Sequence, residues 1–383
     1  MKNLKNLFFA SLAIVTLTVA CDEEFLTKEP QASLSGPALA NADGVEGKLV
    51  AAYRTLAGYG MSGGGTWYYS TWSWIFGAIS SDNALKGTDA GDQPEHSFIE
   101  SYDFNTFNVH NRDKWRSGYW GAARANDVIN SVAEAEDIDA ARAAQMIGEA
   151  KFIRGWQHFE MQKMYRTPKY VSEANFTLDD LEASKVPNTG KIWANIIQDF
   201  ADAATALPAT QSEAGRATKW AALAYQAKAL VYSGDYTSAL PILENIVNNG
   251  PYTLVDKFED NYLIATRNNS ESIFEIQYAV SSADTNASNA EIALAHPYIA
   301  PWGCCGFLQA PQDLVDFFQT DANGLPLLDE SWKTNHITNP TGANIGEAIG
   351  DPRVDPRLDH TVGRPNILYN NHHISKCKEC HFY

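Results

Sequence analysis

Three stretches carry residue types whose order could do chemistry. The "CKECH" near the carboxy terminus sets Cys377, Cys380 and His381 in the Cys-x-x-Cys-His order that attaches c-type haem. With His372 and His373, the same thiolates and imidazoles could instead hold zinc. Haem also requires an apolar pocket and a second axial ligand, and the polar tail of residues 366–383 offers little wall for one. We read the tail as holding neither haem nor metal. The loop "GYGMSGGG" matches Gly-x-Gly-x-x-Gly through Gly58, Gly60 and Gly63, and the nucleophile-elbow pattern through Gly60, Ser62 and Gly64. Both motifs need a preceding strand and a following helix, whereas a helical pattern precedes this loop, so neither reading stands. The third stretch gathers Trp67, Tyr68, Tyr69, Trp72 and Trp74 just before "SDNALKG". Indole rings can pack on the apolar C–H faces of sugars while Asp and Asn bind hydroxyls. Trp72, Trp74 and Trp302 are therefore candidate ring platforms, with Asp82 and Asn83 as polar neighbours. The carboxylates that follow lack calcium-loop spacing.

The elements that must position these residues are helical. Val45, Leu49, Tyr53 and Leu56 recur at steps of four, four and three, and Tyr119, Ala122, Ala125, Ile129 and Val132 form a second stripe. Met146, Ala150, Ile153 and Trp156 form a third, and Ile192, Ile196, Phe200, Ala203 and Leu207 a fourth that Pro208 ends. Each run is apolar on one face and charged on the other, as a helix packed on a neighbour requires. In "KWAALAYQAKALVYSGDYTSALPILENIVNNGPYTL" two helices meet at Gly234-Asp235-Tyr236, with Ala227 and Ala239 at close-approach positions and Pro251 near the end of a ~34-residue tetratricopeptide period. One such hairpin cannot bury its own face, so neighbouring pairs must stack on it. "ESIFEIQYAV" reads as a strand, and the Pro- and Gly-rich chain beyond it reads as irregular backbone, where binding groups tend to sit.

The amino terminus places the chain. Lys2 and Lys5 precede a thirteen-residue apolar run and the small Ala20, the order of a secretory signal. The run is too short for the ~20 residues of a membrane-spanning helix. Cys21 follows at once, as in the lipobox of bacterial lipoproteins, which makes it the expected acylation site and points to a palmitate-type lipid anchor. "CDEEFL" resembles the acidic export signal of Bacteroidetes surface lipoproteins. The net charge of −17, or −19 once the leader and its two lysines are removed, argues against nucleic-acid partners. Five cysteines in 383 residues make no disulfide scaffold. Cys304 and Cys305, being adjacent, are better read as free thiols.

In order along the chain, "CDEEFL", "ISSDNALKG", "ARANDVINSV", "GEAKFIRGWQHFEMQKMYRTPKYV", "NSESIFEIQY" and "DPRVDPRLDHTVGRP" resemble the SusD/RagB family of outer-membrane nutrient-binding lipoproteins. The likeness runs from about residue 21 to 365. It implies a mainly α fold: a superhelix of tetratricopeptide-like helical pairs with a loop-rich, irregular subdomain facing the ligand. The expected organisation is a signal peptide over 1–20, an acylated tether over 21–40 and a helical scaffold over 41–275 with an aromatic loop insertion at 58–110. A partial loop-rich subdomain follows over 276–365, then the anomalous tail. The resemblance implies a surface-exposed protein that is not an enzyme, needs no cofactor, and delivers glycans to a SusC-like TonB-dependent transporter. Family chains continue well past "DPRLDHTVGRP", so the switch to His, Asn, Cys and Lys there points to a truncated gene or a shifted frame. A peptide-binding member, a tetratricopeptide-like protein-interaction module, and a glycoside hydrolase with two carboxylates about 5–10 Å apart are the competing readings.

Overall fold

A computed structural model describes residues 39–58, 74–176, 182, 185–277, 306–337 and 353–364, together with the backbone of 368–369 and 372–373. Its main helices are α1 (Ala42–Arg54), α2 (Pro94–Glu100), α3 (Val109–Glu134), α4 (Ala140–Tyr165), α5 (Trp193–Ala206), α6 (Lys219–Ser233) and α7 (Tyr236–Asn249). From α3 to α7 each packs on the next, α1 packs on α3 and α4, and these form the scaffold, while α2 touches α3 and β-structure outside it. All the long helices but α5 begin where the sequence supplies a side-chain cap. Asn41, Asn108, Asp139, Thr218 and Asp235 each accept from a backbone N–H in the first turn that has no intrahelical partner. Gly234 ends α6 at φ 92°, a left-handed cap that a residue with a Cβ resists.

The four sequence stripes line one core. Val45, Leu49 and Leu56 meet Ala125, Ile129 and Val132, and those meet Met146, Ala150, Ile153 and Trp156. Ile192, Ile196, Phe200, Ala203 and Leu207 close the far side. Aromatic edges knit this core, with the Phe152 ring centroid 5.8 Å from Phe200, 5.6 Å from Tyr225 and 5.0 Å from Phe274. Helices α4 and α5 approach closely because Gly155 lacks a side chain: a Cβ there would lie 3.1 Å from both Asp199 Cβ and the Phe200 ring. In the tetratricopeptide-like hairpin α6–α7, Ala227 and Ala239 are buried as that pattern demands.

Polar clusters fasten the helices. The Arg154 guanidinium takes Asp199 in a two-point grip (Nη2–Oδ1 2.6 Å, Nε–Oδ2 3.0 Å) and also donates to Asn126 Oδ1 and Glu173. The Tyr170 hydroxyl completes Asp199 at 2.9 Å. Beside it, Val171 N donates to His158 Nε2, so Nδ1 carries the proton toward the Arg154 carbonyl and the imidazole is neutral. Burial first, then the Arg154 charge, pushes this histidine down to about 3. A second cluster joins α1 to α4 and to the loop before α6. The fully buried Glu149 accepts from Tyr53 (2.8 Å), Arg142 (3.0 Å) and Arg216 (3.1 Å), and both arginines also reach Glu46.

Apart from the scaffold lies a smaller core of Trp74, Ile75, Ile79, Ala84, Ile99 and Phe307. It is braced by the antiparallel pair β1 (Leu85–Gly87) and β2 (Phe307–Gln309), with Leu85 opposite Gln309. A third core, Val315, Leu358 and Val362, sits between the short helices α8 (Gln312–Asp316) and α9 (Leu358–Thr361). There the buried Asp316 accepts from Ile337 N and His336 Nδ1, both at 2.7 Å. Strands β3 (Leu368–Tyr369) and β4 (His372–His373) pair antiparallel. The strand expected from "ESIFEIQYAV" is corrected over 271–277, where the backbone joins no strand. Its alternation instead docks Phe274 and Ile276 onto the main core as a single extended strip.

Candidate ligand-binding surface

The turns of residues 74–83 and the loop after α2 come together at one end of the small core. The Tyr102 hydroxyl donates to the Ser80 carbonyl, which sets the loop against the turn that carries Asp82 and Asn83. Asp82 and Asn83 are both exposed. The loop adds Tyr102, Phe104 and Phe107 as exposed rings, with Phe107 at 87%, and Phe98 of α2 is exposed as well. Beneath them, buried Lys86 donates from Nζ to the Asp89 carbonyl (2.7 Å), and its backbone N–H donates to Glu100 Oε1 (3.2 Å). Stacking rings next to a free carboxylate and amide can hold a polyhydroxylated molecule: dispersion on the ring faces, hydrogen bonds at the rim.

The sequence-predicted residues fall out unevenly. Asp82 and Asn83 stand on this surface. Trp74 does not present a ring to solvent: at 3% exposure it is a core residue, edge-on to Phe307 and His96 at 5.8 and 5.1 Å. A tryptophan in an aromatic-rich run fills a core as readily as it forms a platform, and here the small core needed its bulk. Trp72, Trp302 and the acylation candidate Cys21 lie outside the described residues, as do Cys304, Cys305, Cys377 and Cys380. The rings sequence reasoning passed over, Tyr102, Phe104 and Phe107, follow no helical period in "SYDFNTFN", and that was the available signal. Among the described residues no group of three or more His, Cys, Asp or Glu is placed to hold a metal ion, and no helix is long and apolar enough to cross a membrane.

Residues 76–231 match a SusD-like family model described as starch-binding associating with outer membrane. A SusD-like protein of Bacteroides ovatus is 28% identical over 193 residues, covering 46% of this chain and 35% of its own. SusD-like protein P25 of Formosa agariphila is 21% identical over 262 residues, 67% of this chain and 49% of its own. Over these stretches the chain is similar to proteins of the SusD/RagB family. Its fold is that of solved SusD-like proteins. A SusD-like carbohydrate binding protein from Bacteroides fragilis superposes with a TM-score of 0.64 at 22% identity, over 84% of this chain and 59% of that one. Surface glycan-binding protein A from Bacteroides thetaiotaomicron, solved in complex with laminarihexaose, gives 0.59 at 20% identity, over 72% and 60%. This SusD-like chain thus spans less than half the length of the curated relatives it matches.

Proposed function

We propose that this SusD-like protein captures glycan at the outer surface of the cell and passes it to a SusC-like TonB-dependent transporter. It acts by binding and has no catalytic role. The observation that carries the reading is the Tyr102–Ser80 hydrogen bond, which ties a loop bearing the exposed rings Tyr102, Phe104 and Phe107 to the turn that carries the exposed Asp82 and Asn83. Trp72 and Trp302 are proposed to add rings to the same surface, and an acylated Cys21 to tether the protein to the outer membrane. A rigid helical scaffold suits the role, because a ligand surface that is already ordered loses little entropy on binding.

Native affinity electrophoresis in gels containing laminarin, starch or another soluble glycan tests the reading. Retardation by at least one glycan, weakened when Asp82 and Asn83 are both changed to Ala, is expected. Unchanged mobility across the whole panel would overturn it. Co-purification with a large outer-membrane barrel checks the transporter partnership, and radiolabelled palmitate incorporation lost in Cys21→Ser checks the anchor. A protein-interaction role is the second reading. Tyr236, Leu240, Leu243 and Val247 along α7 are all exposed, and such a stripe commonly marks a protein contact.

A further inference from the structure

His96 on α2 and His110 in the first turn of α3 are both fully buried, with ring centroids 4.1 Å apart and planes tilted by 40°. Trp74 and Phe307 of the small core stand edge-on to His96, at 5.1 and 5.9 Å. The imidazole pair therefore lies where the small core meets the scaffold. A polar contact also spans that junction: Asn108 donates from Nδ2 to the Glu95 carbonyl and to Glu95 Oε2, both at 3.1 Å. The apolar members of the small core form a cluster separate from the scaffold's.

We propose that the α2–α3 junction is an acid-operated hinge: the stacked pair His96–His110 holds the 74–107 region on the helical scaffold while both rings are neutral, and releases it when they take up protons. Two imidazolium ions at this separation, out of water, repel each other and each bears the cost of desolvation. The surrounding charges of the described residues do not cancel that cost. Lys86 of β1 adds a further positive field at His96. On α2, Glu95 and Glu100 are engaged with Asn108 and with the Lys86 backbone. On α3, Asp113 pulls His110 the other way but is bonded to Arg112 at 2.8 Å, with Lys114 buried beside it. The rings that Trp74 and Phe307 set against His96 carry no charge.

The direction follows from linkage. Burial, reinforced by His110 and then Lys86, pushes His96 down to about 3, and burial pushes His110 down to about 4 despite Asp113. Once opened, both rings titrate near the ordinary ~6.5. The closed form is thus fully favoured above pH 6.5 and loses ground as pH falls toward the folded values. Between pH 6.5 and 5.0 each histidine shifts opening by about 16-fold, so the pair shifts it by about 250-fold. The hinge stands whether or not glycan is the ligand, although it would dismantle the surface bearing Asp82 and Tyr102.

Hydrogen exchange of the full chain, read by mass spectrometry and corrected for intrinsic rates, tests this between pH 7 and 5. Residues 85–107 should lose protection with a slope approaching two protons per opening, while 146–162 of α4 stay protected. His96→Phe or His110→Phe should each cut the slope to one proton. Unchanged protection at 85–107, or loss in step with α4, would overturn the hinge. Should a variant lose protection already at pH 7, the wild-type slope decides: two protons support the proposal, one or none overturns it.

Discussion

At the scale of single residues, Arg154 and His158 make opposite demands on the same buried space. Arg154 is charged and 3% exposed, so its stability rests on Asp199, Asn126 and Glu173 being in place. Arg154→Met would strand the Asp199 carboxylate and should cost about 3–5 kcal/mol, read as a drop in the urea midpoint. Adding Asp199→Leu should restore much of it, since an apolar pair of similar volume replaces a buried ion pair at little loss. His158 is neutral in the fold, at about 3, and near ~6.5 when unfolded. Its contribution is complete above pH 6.5 and drains away as pH falls, reaching about 3 kcal/mol of lost stability by pH 4. His158→Gln should flatten the pH dependence of the denaturation midpoint over that window.

At the scale of elements, the turn between α6 and α7 gives a clean test of backbone cost. A Cβ on Gly234 would meet nothing within 4 Å, so Gly234→Ala is penalised only for φ 92°. It should lose about 1 kcal/mol, visible as a melting shift of a few degrees. Gly155→Val is different in kind, because its side chain would press on Asp199 and Phe200 and part α4 from α5. We expect about 1–3 kcal/mol from overpacking, with loss of near-ultraviolet dichroism from the Phe152–Phe200–Tyr225 cluster. The helices themselves were readable from period alone. All five of Ile192, Ile196, Phe200, Ala203 and Leu207 are buried, because a stripe recurring every three to four residues has one stable disposition. What joins them was not readable. Arg216 meets Glu46 and Glu149 across 170 and 67 residues of chain, and no local pattern reports such a pairing. "ESIFEIQYAV" misled for a related reason: alternation requires one face to be covered, and a helix core covers Phe274 and Ile276 as well as a sheet would.

At the scale of the whole molecule, the legible part was the scaffold and the obscure part the binding surface. Composition announced rings near residues 67–74 but could not say which would turn inward, and Trp74 turned inward. The exposure of Asp82 and Asn83 was legible because they sit in a polar turn, where exposure is the rule. If the exposed loop binds glycan, Phe104→Ala with Phe107→Ala should weaken retardation in affinity gels at least tenfold without moving the melting temperature, since neither ring is buried. The scaffold variants above should do the reverse.

The Arg154 junction also bears on how the chain reaches this fold. It gathers Asn126 from α3, Asp199 from α5 and Glu173 from the segment between α4 and α5, partners 28, 45 and 19 residues away. The full set is made only once α3, α5 and the intervening segment have all docked on α4, so we expect it to be completed after the rate-limiting barrier. Disrupting it should leave the refolding rate nearly untouched and hasten unfolding, which makes this one guanidinium a latch on the lifetime of the folded protein.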